Sequence, residues 1–190
     1  MPFPDESMVA TPVPYRTSWP DEFAVLAADL HKALGDLARA FDHIGSTSIP
    51  GMPAKDCIDV QIRVDHLDRT NLVPALAAIG FRMREEPWNT EETSFGVTGP
   101  KLVFAPPIGA RRCNVHLRPY DSPNARFALL FRDYLRAEAV ARDAWGAFKV
   151  RLARDVPDLS GYGQIKQPAT TVLMEAARRW AAETAWTPPA

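Results

Sequence analysis

Residues 57–64 read CIDVQIRV, and this alternation of apolar and polar side chains constrains the fold more than any other segment of the chain. Successive side chains of a β-strand point to opposite faces, so a period of two predicts a strand. The strand would present Asp59, Gln61 and Arg63 on one face and aliphatic side chains on the other. The sequence therefore predicts a strand that carries a carboxylate on its polar face.

The remaining periodicity predicts an α/β (α+β) fold in which one α/β half is followed by a helical half. We expect a helix over about 18–40 and a second helix over about 71–79, which ends at Gly80 as a C-cap. Further strands are expected at 81–84, 101–105 and 112–118, and further helices at 124–141, 144–153 and 170–185.

The chain of 190 residues is long enough to bury one sizeable core and too short for two comfortable domains. We therefore expect a single domain over residues 18–186. Residues 1–17 are rich in proline and show little periodicity, which predicts an extended or partly disordered arm.

Composition argues against several classes of protein. The 22 basic and 23 acidic side chains give a net charge of −1, so we expect no binding along a nucleic-acid backbone, although a local basic pocket is compatible with this balance. No apolar run approaches the roughly 20 residues of a membrane span, and the first residues do not have the pattern of a secretory signal. Cys57 and Cys113 lie in apolar, strand-like runs, so we expect buried thiols in a cytoplasmic protein. The oligomeric state is not indicated.

The loop before the strand has the composition of a phosphate-binding segment. Gly45 lets the backbone approach a ligand, and Ser46, Thr47 and Ser48 add hydroxyl groups beside backbone N–H groups. Lys55 adds a mobile cation. Asp59 follows about a dozen residues after the Gly-Ser pair, where its carboxylate would hold a divalent metal that bridges to the phosphate.

A Gly-Ser pair followed at this distance by an acidic residue on a strand resembles the signature of the nucleotidyltransferase (polymerase-β-like) fold. The longer string HIGSTSIPGMPAKDCID resembles the motif GSTSVPGLxAKPxID of the GrpB family. Later segments also resemble that family, and the resemblance extends from about residue 15 to residue 182; these segments are NVHL at 114–117, FRDYLR at 131–136, Phe148-Lys149 and Tyr162…Lys166.

The resemblance implies a nucleotidyltransferase-like mixed sheet flanked by helices, with a helical C-terminal half. It also implies a nucleotide or another phosphorylated small molecule as ligand, with Mg²⁺ or Mn²⁺ at Asp59; some members of the family are fused to dephospho-CoA kinase. Active transferases of this fold carry a second acid two residues after the first, where this chain has Gln61. A third acid is expected on a neighbouring strand, where this chain has His116, and the cluster Glu85, Glu86, Glu91 and Glu92 is an alternative source.

The predicted catalytic residues are accordingly Asp59, His116 and Gln61, with Asp59 as the metal ligand. The predicted phosphate-binding or substrate-binding residues are Gly45, Ser46, Thr47, Ser48, Lys55, Arg132, Lys149, Tyr162 and Lys166. Most of these residues also have a structural alternative. The Gly-Ser pair is also compatible with an ordinary turn, Asp59 with a structural carboxylate, and His116 with a core histidine. Arg132 is compatible with an ion pair to Asp133. Lys149, Tyr162 and Lys166 are compatible with a surface position.

Two functions are compatible with these residues. The first is a metal-assisted transferase that acts on a nucleotide or another phosphorylated small molecule. The second is a catalytically degenerate module that binds a nucleotide or a CoA-like ligand without turning it over, and the substitution of a second acid by Gln61 favours it.

Overall fold

The helices form where apolar side chains recur at helical spacing. In the computed structural model, which describes residues 3–189, they are α1 (Trp19–Leu34), α2 (Arg69–Ala78), α3 (Pro87–Thr90), α4 (Pro123–Ala137), α5 (Ala139–Asp155) and α6 (Leu159–Glu183). Short 3₁₀ turns at Gly35–Leu37 and Ser46–Ser48 follow α1 and the second strand. No helix in this part of the chain is long and apolar enough to cross a membrane.

The strands are β1 (Pro12–Val13), β2 (Ala40–Ile44), β3 (Ala54–Lys55), β4 (Ile58–Val64), β5 (Arg82–Arg84), β6 (Glu91–Ser94), β7 (Val97–Pro100), β8 (Leu102–Ala105) and β9 (Cys113–Pro119). The main sheet within residues 3–189 has the order β2-β4-β9-β8-β5. Its central pair, β4 and β9, is parallel, and the other pairs are antiparallel. The predicted mixed sheet flanked by helices, with a helical C-terminal half, is confirmed.

The aliphatic face of β4 forms the main core, as the alternation predicts. Ile58, Val60 and Ile62 are fully buried together with side chains of β9, α1 and α2. A second core joins α4, α5 and α6 to the loop after β2, since Ile49 and Met52 of that loop are fully buried among the helices. The loop that contains the Gly-Ser pair is therefore anchored from both sides.

The opposite face of the sheet is polar and nevertheless buried, because α4 covers it. The Arg63 side chain donates from Nε to Asp42 Oδ2 at 2.9 Å and from Nη2 to Asp42 Oδ1 at 3.2 Å. Gln61 donates to the same carboxylate at 3.1 Å, and its Oε1 accepts from Arg118 at 2.9 Å. Buried polar groups are tolerated only when they are paired, and this network pairs them across three strands.

Several predicted boundaries are wrong. Helix α6 begins at Leu159 and not near residue 170, because Asp158 caps it by accepting from Gly161 N at 2.7 Å and because the helix accommodates Pro168. Helix α1 ends at Leu34 and continues only as a 3₁₀ turn. The acidic segment with Glu91 and Glu92 forms the β6–β7 hairpin, and the Glu92 carboxylate binds Arg118 and Lys101.

The proline-rich arm is extended along the domain. Pro12 pairs with Lys55 and Val13 with Ala54, so β1 and β3 form a short two-stranded sheet. Nearer the N-terminus, Asp5 binds Arg82. Residues of the arm therefore contact both β3, which follows the loop after β2, and the edge strand β5 of the main sheet.

The buried pair of Asp42 and Arg63 should contribute strongly to stability. Replacement Asp42→Ala would remove the carboxylate from a guanidinium that is almost fully buried, and we expect the free energy of unfolding to fall by about 3–5 kcal/mol. Urea denaturation measures this change. The control is Asp65→Ala, which removes an exposed partner of Arg39 and should lower the free energy of unfolding far less, because solvent screens this pair. Equal losses in the two variants would contradict the assignment.

Candidate functional site

The turn at Gly45 brings the backbone of the loop against the carboxylate of Asp59. Gly45 has a φ of +68°, which L-residues with a side chain rarely adopt. A Cβ atom at this position would lie 2.3 Å from Asp59 Oδ2. The register explains the approach, since Ile44 at the end of β2 is paired with Asp59 near the start of β4. The glycine is therefore required for the carboxylate to lie where it does.

The hydroxyl groups of the loop differ in their exposure. Thr47 and Ser48 are buried, with Thr47 Oγ1 at 3.0 Å from His43 Nε2 and Ser48 Oγ donating to Gly45 O at 2.6 Å. Burial lowers the pKa of His43 to about 4, so this ring is neutral at neutral pH. Thr47 and Ser48 thus hold the turn in shape, and Ser46 is the half-buried hydroxyl of the three.

Asp59 lies between two polar side chains of β9, the parallel neighbour of β4. Asn114 Nδ2 donates to Asp59 Oδ1 at 3.1 Å, and His116 Nε2 lies 3.7 Å from the same oxygen. Burial acts to raise the pKa of Asp59, but His116, Asn114 and Lys55 outweigh it, so the pKa is lowered and the group is ionised at neutral pH. Burial lowers the pKa of His116, whose buried Nδ1 has no hydrogen-bond partner among the described residues.

Lysines from two C-terminal helices approach the same turn. Lys149 of α5 donates to Ser46 Oγ at 2.8 Å and to Pro53 O at 2.5 Å. Burial and the nearby charges of Lys166 and Lys55 lower the pKa of Lys149 to about 7. The pKa of Lys166 is also lowered, by burial and then by Lys55. Mutual repulsion among lysines is relieved when an anion binds between them.

A cleft of about 1090 Å³ opens from this turn between the β6–β7 hairpin and helices α4 and α6. Gly45, Ser46, Asp59 and Lys166 line one end of it. The rest of the wall includes aromatic rings, which are Phe95, Phe127, Phe131, Trp145 and the exposed Trp88. The cleft therefore combines the polar groups around Gly45 with aromatic rings, and its lining also includes the charged side chains Glu91, Glu92, Arg118, Glu175 and Arg178.

Of the predicted site residues, Gly45, Ser46, Asp59 and Lys166 line the cleft, whereas Lys55 and His116 line a smaller neighbouring cavity. Three others are held in structural contacts. Gln61 is fully buried and its amide is bound to Asp42, Arg118 and the carbonyl of Ala125. Arg132 binds Asp133 at 2.7 Å and donates to His43 O at 3.3 Å, which is the ion-pair alternative. Tyr162 lies in a small apolar cluster, and burial raises its pKa to about 12.

Sequence reasoning did not identify the aromatic wall or the contribution of Asn114 to the site. The ring pair of Phe95 and Phe127, whose centroids lie 5.0 Å apart, joins the hairpin to α4. The spacing of Phe127 and Phe131 on one face of α4 is the available signal for this wall. Nothing local indicates that Phe95 would meet that helix.

The donor set suits a divalent metal only in combination with a ligand. No group of three or more His, Cys, Asp or Glu side chains within residues 3–189 is arranged to hold a metal. Mg²⁺ commonly binds through one carboxylate together with water and phosphate oxygens of the substrate. Asp59 is the residue that would hold such an ion, and the phosphate of the ligand would complete its coordination.

Comparison with known proteins agrees with the motifs. The sequence model of the family described as GrpB protein matches residues 11–176. The dephospho-CoA kinase of Mycobacterium tuberculosis (strain ATCC 25618 / H37Rv) is 35% identical over 194 residues, which cover 93% of this chain and 48% of that protein. The chain thus spans about half the length of its mycobacterial relatives.

One solved structure gives the same result. The conserved protein GrpB from Enterococcus faecalis has a TM-score of 0.75 and 25% sequence identity, and the match covers 90% of this chain and 99% of that one. The Cid1 poly(U) polymerase is a more distant neighbour, with a TM-score of 0.47 and 14% identity over 76% of this chain and 42% of that one. The family match and the shared architecture show that the chain belongs to the GrpB family.

Proposed function

We propose that the chain binds a nucleotide or another phosphorylated small molecule in the cleft and acts on it as a metal-assisted, nucleotidyltransferase-type enzyme. One observation carries the proposal. The Ser46 hydroxyl and the half-buried Asp59 carboxylate meet at the Gly45 turn, and the buried cation of Lys149 binds that hydroxyl.

The part of the cleft around Gly45 is suited to phosphate. Lys149 and Lys166 face a region in which Asp59 is the neighbouring carboxylate, and each lysine loses proton affinity in the absence of an anion. A phosphate group between them would restore that affinity and accept hydrogen bonds from Ser46 and Lys149. The aromatic rings that line the cleft give a nucleobase or another planar group a surface on which to stack.

Asp59 and His116 would act on the reacting group. Asp59 is ionised, so it would position a metal or a substrate hydroxyl, and a bound Mg²⁺ or Mn²⁺ would polarise a phosphoryl oxygen. His116 is neutral because burial lowers its pKa, and it lies next to Asp59, so it would accept a proton from an attacking hydroxyl. Gln61 has no free amide group for such a role in this geometry.

The second candidate function is a binding module that does not turn its ligand over. The buried Gln61 favours it, because the position of the second acid is occupied by an amide that belongs to the structural network. Such a module keeps the cleft and the lysines but has one carboxylate for a metal. The two functions differ in whether ligand binding depends on the metal.

The metal dependence of binding separates the two functions. We expect a nucleotide, a CoA precursor or a phosphorylated sugar to raise the melting temperature with Mg²⁺ or Mn²⁺, by the equivalent of about 2.7 kcal/mol at 100 times its Kd. Replacement Asp59→Asn should abolish the metal-dependent part, because it removes the carboxylate that would hold the ion. A thermal-shift screen with and without metal measures both effects.

Asp65→Asn is the matched control, since this exposed aspartate pairs with Arg39 and does not line the cleft. Stabilisation that does not depend on metal and survives Asp59→Asn would support the binding module. No stabilisation by any compound of the panel, with or without metal, would contradict both functions.

The pH dependence of anion binding tests the role of Lys149. Its pKa is about 7, so the side chain is protonated below this pH and loses its charge as the pH rises. Affinity for sulfate, an anion whose own charge is constant in this range, should therefore fall by several-fold between about pH 6 and pH 8. Calorimetric titration measures it.

Lys149→Met should remove most of this pH dependence and weaken sulfate binding at the lower pH. The control is Lys32→Met, which replaces an exposed lysine on α1. If the pH dependence persists in Lys149→Met, the lysine is not the titrating group and the assignment is wrong.

A further inference from the structure

A second cavity lies between the sheet and the N-terminal arm. Its volume is about 260 Å³, several times the roughly 30 Å³ that a water molecule occupies. The polar side chains that line it include Lys55, Arg84, Arg112, Asn114, His116 and Glu6. It contains Lys55 and His116 of the predicted site, and Trp88 lines both cavities, but Ser46 and Lys149 do not line it.

The charge of this cavity is unbalanced. Among its lining residues in the described range, the cations Lys55, Arg84 and Arg112 face one carboxylate, that of Glu6. Lys55 and Arg112 form no ion pair within residues 3–189, whereas Arg84 is bound by Glu6. The arm thus supplies the negative charge of a pocket that is otherwise basic.

Glu6 binds Arg84 in the manner of an anionic ligand. Its Oε1 accepts from Arg84 Nη2 at 2.5 Å, and its Oε2 accepts from the backbone N–H of Phe3 at 2.7 Å. Arg84 Nη2 also lies 3.4 Å from Asn114 Oδ1, and Asn114 donates to Asp59. The arm carboxylate is therefore two hydrogen-bonded side chains away from Asp59.

The arm carboxylate is held less firmly than the arginine that it binds. Arg84 is nearly buried in the sheet, whereas the other ion pair of the arm, Asp5 with Arg82, is partly exposed. Partly exposed ion pairs contribute little to stability because solvent screens them. The Glu6 side chain is 17% exposed, so an anion in solution can compete with it for Arg84, whereas Arg84 is part of β5 and stays in place.

We propose that this cavity is an anion-binding site for a carboxylate or phosphate group of a small ligand, and that Glu6 of the arm occupies it when the ligand is absent. Arg84 and Arg112 would bind the anion, and Lys55 would face it from β3. A ligand seated there would place its remaining atoms beside His116 and Asp59. Lys55 also belongs to the predicted phosphate-binding residues of the first site, but Arg84 and Arg112 do not line the cleft, so the inference does not depend on the proposed function.

Removing the charge of Glu6 tests the proposal. Inorganic phosphate, titrated calorimetrically at fixed pH and ionic strength, should bind about ten-fold more tightly to Glu6→Gln than to the unchanged chain. The matched control is Asp5→Asn, which removes the same charge from the same arm but from a residue that pairs with Arg82 outside the cavity. This control should change the affinity by less than about two-fold.

Two further variants locate the gain. Glu6→Gln combined with Arg84→Gln removes both partners of the pair and should return the phosphate affinity to that of the unchanged chain. Arg112→Gln, a change at an exposed residue, should also lower the phosphate affinity of the Glu6→Gln chain. Glu6→Gln combined with Lys149→Met should keep the gain, which separates this site from the first. An equal gain in Asp5→Asn, no gain in Glu6→Gln, or a gain that persists without Arg84 would overturn the proposal.

Discussion

The register of β4 between β2 and β9 determines where every group of the candidate site lies. Ile44, Asp59 and Asn114 are paired across the three strands, so the Gly45 turn, the carboxylate and the amide meet at one end of the sheet. A shift of one residue would turn Asp59 towards the aliphatic core and bring Ile58 to the polar face. Since one face is packed with fully buried aliphatic side chains, such a shift is strongly disfavoured. The packing of the aliphatic core therefore determines which side chains of β4 face the candidate site.

The polar face of β4 carries one residue that is open to the cleft and two that belong to a buried structural network. Asp59 lies near the beginning of β4, where the cleft is open, whereas Gln61 and Arg63 lie further along, under α4. Gln61 and Arg63 are bound to the Asp42 carboxylate, and Arg118 extends the network to Glu92. The amide at position 61 is thus a structural element of the covered face. A second carboxylate at this position would lie beside Asp42, and the repulsion of two buried like charges would be costly.

Much of the architecture could be predicted from the sequence, because the strand, the C-capped helix and the apolar faces are encoded by local periodicity. The family was identified from its motifs and is confirmed by the comparisons. Local patterns could not predict that α4 would bury Gln61, or that α6 would begin eleven residues before the expected start, since both depend on tertiary packing and capping. The roles proposed for Asp59, His116, Ser46 and the lysines stay predictions. The structure brings these groups together, but it leaves Arg132 and Tyr162 in structural environments.

The distribution of charge explains how a chain with a net charge of −1 holds a basic site. Carboxylates elsewhere are paired with arginines, as in Asp42 with Arg63 and Glu92 with Arg118, so they do not offset the lysines around the Gly45 turn. Burial and repulsion keep Lys149 near the midpoint of its titration at neutral pH. An anion that binds beside it favours the protonated form, so ligand binding and proton uptake are linked by the same free energy. A site of this kind gains positive charge as its ligand arrives and does not bear the full cost of buried cations when the cleft is empty.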